Sequence, residues 1–235
     1  SLGVAEEWMH FFALQNADYT YKDPDGDEAK RDPAHSYYPF GQFNEYYYAG
    51  ADCSGYAGWI LYNTMYDREG EPGFVEGASS IAETLARNGW GFLIPEEEFC
   101  FPEDTTYNAS KPGDVVSTSG HIWISLGTCE DGSIVILHST PSPSRTGQPG
   151  GGVQIGAVGK DDGCQAMELA RHYMSSYCPE WYERYDASLK DPAVYLDCAG
   201  GGYFRWNLSG DKGGLTDPDG FAQKSPSEIL EQLLG

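Results

Sequence analysis

The chain reads as α+β, with N-terminal helices packed on a central antiparallel β-sheet. Three observations predict this. Helical spacing dominates the region before about residue 90, two alternating apolar runs follow Pro112-Gly113-Asp114, and the hairpin dipeptide Asp131-Gly132 stands between those runs.

The elements can be justified in order. Val4, Trp8, Phe11, Phe12 and Gln15 fall near helical spacing and predict an amphipathic helix over 4–16. Residues 22–52 are rich in Asp, Pro, Gly and Tyr and read as a long irregular loop. A largely buried helix is expected from Cys53 to Tyr66. Ser80-x-x-Glu83 has the form of a capping box, and Gly89 is a C′ stop, so a second helix is expected over about 80–88. The alternating runs Val115–Gly127 and Ser133–Ser139 predict strands, and Val153–Val158 another. Residues 164–177 return to helical spacing. Tyr203–Leu208 is a late strand, and Ser225 through Glu228 cap a last short helix. With no internal repeat and no long linker, residues 1–235 form one domain, with an inserted loop at about 22–52 and an extended segment at about 160–235.

Composition narrows the function. Hydrophobic residues make up 40% of the 235 and aromatics 14%, enough for a folded core. A net charge of -22 repels phosphate backbones and anionic lipid, so neither nucleic acid nor a membrane surface is an expected partner. No apolar run approaches the roughly 18 residues of a membrane span. The chain opens on Ser1 without a charged-then-apolar leader, as a mature or trimmed chain would. The six cysteines contain no CxxC pair, so no zinc site is expected. If Cys53 is a free nucleophile, five remain and at least one of them is unpaired or pairs between chains. The Asp-rich stretches 23–28 and 217–220 lack the twelve-residue ligand spacing of a calcium loop and read as solvated turns, so no metal and no cofactor is expected.

The chemistry gathers at Asp52-Cys53-Ser54-Gly55, where a helix begins. A cysteine there feels the positive end of the helix dipole and the unpaired first-turn amides. Both favour thiolate, so a lowered pKa and a nucleophile are expected. A nucleophilic cysteine needs a base, and the base an orienting group. His121 opens a strand in SGHIWISLG, within the first alternating run, and His138 lies in the second run. With a two-residue turn at Asp131-Gly132, Ser125 pairs with His138. The two histidines then share a face but stand four residues apart along the ladder, and a bulge near Gly127 or a different loop is needed to bring them together. A lone histidine is most often a satisfied core or surface residue. Two on one strand face, downstream of a helix-start cysteine, favour catalysis.

ADCSGY, KPGDVV, GHIWISLG and VILHST, in that order, resemble the NlpC-type family of cell-wall cysteine peptidases. The resemblance covers about residues 50–140. It implies a circularly permuted papain-like fold, with Cys53 as nucleophile, His121 as base and His138 as the orienting third residue. It further implies that Asp52 and Ser54 hold the free amino end of the substrate. Tyr19 is the counterpart of the family's tyrosine before the cysteine motif, with Tyr46, Tyr47 and Tyr48 as competitors. Ser80 completes the expected substrate-binding set. The implied reaction is hydrolysis of amide bonds in peptidoglycan stem peptides, between γ-D-Glu and a diamino acid, through an acyl-enzyme. The implied setting is the outside or the wall of a bacterial cell. The alternatives are a related amidase or acyl transferase on the same fold, or an inactive wall-binding module. Residues 22–52 and the tail are expected to wall the cleft, the tail through Trp181, Tyr182, Tyr185, Tyr203, Phe204 and Trp206.

Overall fold

The computed structural model describes residues 52–65, 76–95, 110–147, 150–197, 199–210 and 214–235. The expected helix over 4–16, the loop from 22 to 51, and Tyr19 with its competitors Tyr46, Tyr47 and Tyr48 all lie outside the described residues.

The fold is α+β, built on a mostly antiparallel sheet with seven strands among the described residues. The described elements begin with α1 (Cys53–Met65), α2 (Ile81–Arg87), β1 (Gly91–Leu93), β2 (Val115–Ser117), β3 (Ile122–Thr128), β4 (Ile134–Pro141) and β5 (Gly151–Val158). There follow α3 (Gln165–Tyr177), α4 (Pro179–Tyr182), β6 (Leu189–Lys190), α5 (Pro192–Tyr195) and β7 (Gly202–Trp206). A 3-10 turn (Phe221–Gln223) and α6 (Pro226–Leu234) complete them. The strand order is β1-β7-β2-β3-β4-β5-β6, and only the β5–β6 pairing is parallel. No described helix is long and apolar enough to cross a membrane.

Strand alternation sorts the core. Val115, Ile122, Ile124 and Phe204 face α1 and α2, with Ala57, Leu61, Ile81 and Leu85 opposite them. Val135, Ile155 and Ala157 meet α3 and α6 through Met167, Ala170, Ile229 and Leu230. The alternate residues Val116, Trp123, Ile134, Ile136 and Val158 turn the other way and pack with Tyr203 and Leu196. Each fully buried Ile or Leu here stabilises by roughly 1.5–3 kcal/mol.

Three expectations change. The run Val115–Gly127 is two strands, because Thr118, Ser119 and Gly120 turn the chain: the Thr118 amide donates to the His121 carbonyl at 2.8 Å. The turn between β3 and β4 has three residues, not two. Cys129 N–H donates to Ser133 O at 2.7 Å, and Gly132 takes φ 86. Ser80 does not form a capping box with Glu83, since its hydroxyl donates to the Gly77 carbonyl at 3.0 Å. The capping box at Ser225 and Glu228 is present, and Gly89 ends α2 with φ 78. At 217–220 the Asp217 carboxylate accepts the amides of Phe221 (2.8 Å) and Ala222 (2.9 Å), and no group of metal-binding side chains occurs among the described residues.

Candidate active site

Cys53 is the first residue of α1, and Asp52 caps that helix. The Asp52 carboxylate accepts the Gly55 amide at 2.7 Å and the Ser54 hydroxyl at 3.0 Å. Asp52 and Ser54 are therefore both engaged in the cap. The Cys53 side chain packs against the core cluster that includes Ile122. That sets the thiol against the start of β3, one residue from His121, where the Ile122 backbone favours its thiolate form.

His121 is placed by the tight β2–β3 turn, where the Thr118 hydroxyl accepts its amide at 3.1 Å. His138 lies inside β4 and is wholly buried. The three-residue turn shifts the β3–β4 register by one position relative to a two-residue turn. A bulge between Ser125 and Gly127 shifts it by one more, with Gly127 at φ 111. The register Ile124↔Leu137, continued by one step, sets His138 opposite Trp123 rather than Ser125. The histidines are then two positions apart on one face. The rings meet edge to face, with His121 Nε2 3.2 Å from His138 Nδ1.

The relay continues to a residue that sequence reasoning missed. His138 Nε2 lies 2.9 Å from the hydroxyl of Ser188, which is buried and whose amide donates to Gln154 Oε1 at 2.9 Å. Ser188 stands fifty residues after His138, outside every motif, and nothing local marks it. Gly156 makes room for this contact: a Cβ there would stand 2.7 Å from His138 Nε2 and 3.0 Å from the Ser188 carbonyl. If His138 Nε2–H donates to Ser188, then His138 Nδ1 accepts from His121 Nε2–H. That leaves His121 Nδ1 as the open acceptor for a thiol proton.

Tyr195 is the second missed residue. Its ring lies 5.1 Å from His121 and 6.1 Å from His138, centroid to centroid. Its carbonyl accepts the Trp123 indole at 3.1 Å, which fixes α5 over the sheet. The rings expected to wall the cleft serve elsewhere. Phe204, Trp206 and Tyr203 lie in the core, and Trp181 donates to the Gly151 carbonyl at 2.8 Å. Tyr182 carries Arg145 over its face and Tyr185 packs beside Trp181. Ser80 holds the entry to α2, and no described contact joins it to Cys53 or the histidines.

Electrostatics correct one expectation. The Cys53 thiol is raised, not lowered. Burial outweighs the Ile122 amide, and the Asp52 carboxylate adds to the rise. His121 is lowered to about 4, chiefly by burial and further by the Lys190 ammonium, against the opposing pull of Asp52. Burial holds His138 well below the ordinary imidazole range, with His121 and Lys190 adding to it. Burial thus favours a neutral thiol beside neutral imidazoles over a thiolate–imidazolium pair.

The chain matches no protein-family model, no curated protein and no solved structure.

Proposed function

We propose that this chain is a secreted bacterial cysteine peptidase of the NlpC type. Residues 1–235 form one papain-like, circularly permuted domain, acting outside the cell or on its wall. Its substrates are peptidoglycan stem peptides, cut between γ-D-Glu and a diamino acid.

The observation that carries the reading is the 3.2 Å contact between His121 Nε2 and His138 Nδ1, beside a helix-start cysteine packed against Ile122 at the start of β3. It supplies the nucleophile–base–orienter arrangement of acyl transfer. His121 Nδ1 takes the thiol proton as the Cys53 sulfur bonds to the substrate carbonyl carbon. The Cys53 and Ser54 amides at the helix end stabilise the oxyanion. The C–N bond then breaks, the leaving amine takes the proton from His121, and water releases the acyl group by the reverse sequence. The exposed Asp52 carboxylate beside the nucleophile suits a free substrate amine.

The test is digestion of defined muropeptides followed by mass analysis. Cleavage at γ-D-Glu is expected from the native chain and none from a folded Cys53→Ala variant. Activity that survives Cys53→Ala would overturn the assignment.

A further inference from the structure

Lys190 is out of keeping with its setting. The chain carries 14 basic residues against 36 acidic ones, yet this lysine is half-buried and pairs with no carboxylate among the described residues. It lies on β6, directly opposite Val158 of β5. Its ammonium donates to the Thr140 hydroxyl at 3.2 Å and stands 5.5 Å from the centre of the Tyr195 ring. The same Thr140 side chain favours the ionised form of the Tyr195 phenol against the opposing effect of burial. Tyr195 in turn touches both histidine rings. Among the described residues the cation is therefore held in place, at the site, by neutral groups only. An ammonium taken half out of water without a counter-charge is costly. That cost is recovered when an anion arrives.

We propose that Lys190, fixed by Thr140 and Tyr195 beside the histidine pair, is the counter-charge for a substrate carboxylate, so that the peptide cut at Cys53 carries an acidic residue flanking the scissile bond. The inference rests on the peptidase reading and deepens it. It also links binding to chemistry. Lys190 lowers both His121 and His138, whereas Asp52 raises His121. A carboxylate on Lys190 cancels the lowering contribution and makes His121 a stronger base only when the substrate is seated. Tyr195, raised to about 12 by burial, stays a neutral phenol throughout and does not compete for the ammonium.

The closing experiment separates this subsite from the wall-peptide reading by using small reagents. Iodoacetate and iodoacetamide alkylate the same sulfur: an S–C bond forms, the C–I bond breaks, iodide leaves and His121 receives the thiol proton. Only iodoacetate carries a carboxylate. The rate ratio of iodoacetate to iodoacetamide at Cys53, read by peptide mass mapping, should fall at least about fivefold in Lys190→Met and be retained in Lys190→Arg. An unchanged ratio in folded Lys190→Met overturns the subsite while leaving Cys53 as nucleophile. Failure of both reagents to label Cys53 in the native chain overturns the nucleophile and the subsite together. Should Lys190→Met not fold, the unaltered protein still decides. kcat/KM should be at least about tenfold higher for a peptide with Glu beside the cleaved bond than for its Gln counterpart. Amidating the C-terminus instead tells whether a terminal carboxylate is the one bound. Indifference to both changes overturns the proposal.

Discussion

Proton placement governs this site residue by residue. His121 must be neutral to accept the thiol proton, and burial together with Lys190 brings it to about 4. For a base, protonation costs activity, so kcat/KM should climb through about pH 4 and hold above it, instead of climbing near the ordinary 6.5. Asp52 opposes the lowering, so Asp52→Asn should move this acid limb further down while keeping an acceptor for the Gly55 amide. A limb that moves up on this change would show that Asp52 does not act on His121. The two histidines should also differ. On the proposed mechanism His121 takes the reacting proton and His138 acts through it, so His121→Ala should cost more in kcat than His138→Ala, for which a loss of about 10–100-fold is expected. Single-turnover rates of the two variants check the order.

Between the elements, the site depends on how β4 and β5 approach one another. Ile136 pairs with Gly156, and the space left by the missing side chain holds the His138–Ser188 contact. A methyl group at 2.7 Å from Nε2 has to displace the imidazole, which is itself wholly buried in a largely buried strand. Gly156→Ala should therefore lower kcat by about 10–100-fold and cost about 1–3 kcal/mol of stability by overpacking. Urea denaturation and steady-state kinetics on the same preparation check both, and a variant with native kcat would remove Ser188 from the relay. This region also shows what the sequence made legible. Helix α1 starting at Cys53, the strands around His121 and His138, and the need for either a bulge near Gly127 or a different loop could all be read from spacing and alternation. The size of the turn at Glu130–Gly132 could not, because Asp-Gly serves two-residue and three-residue turns alike and only the register tells them apart. Ser188, Lys190 and Tyr195 were illegible for a different reason. They reach the site through long-range pairing of β6 and docking of α5, and no local periodicity encodes such contacts. The thiol shift was misjudged because dipole and amides are readable from a helix start, while burial is a property of the folded surroundings.

For the whole molecule, the order of assembly is set by β7, which comes late in the chain yet lies between β1 and β2. The sheet half that backs α1 is closed only when the segment after residue 200 returns. One ion pair secures that return. The Asp114 side chain is only 1% exposed and takes Arg205 of β7 in a fork, at 2.9 Å from Nε and 2.6 Å from an Nη. The Lys111 amide adds 2.8 Å to the same carboxylate, and the neighbouring Trp206 indole donates to the Gly113 carbonyl at 2.8 Å. Burial pushes the Asp114 carboxyl up, and the Arg205 guanidinium is the largest influence pulling it back. Removing Arg205 leaves the buried Asp114 carboxylate without its guanidinium, and removing Asp114 takes the carboxylate fork from Arg205, so Asp114→Ala or Arg205→Met should each destabilise by about 3–5 kcal/mol. Replacing both, as Asp114→Leu with Arg205→Met, leaves no buried charge and should cost clearly less than the sum of the singles. Urea unfolding of the four proteins closes the cycle, and simple additivity would mean that the fork does not join the β2 turn to β7. Because β2 leads directly into the turn that places His121, the destabilised singles should also lose thiol reactivity at Cys53 at urea concentrations where the native chain keeps it.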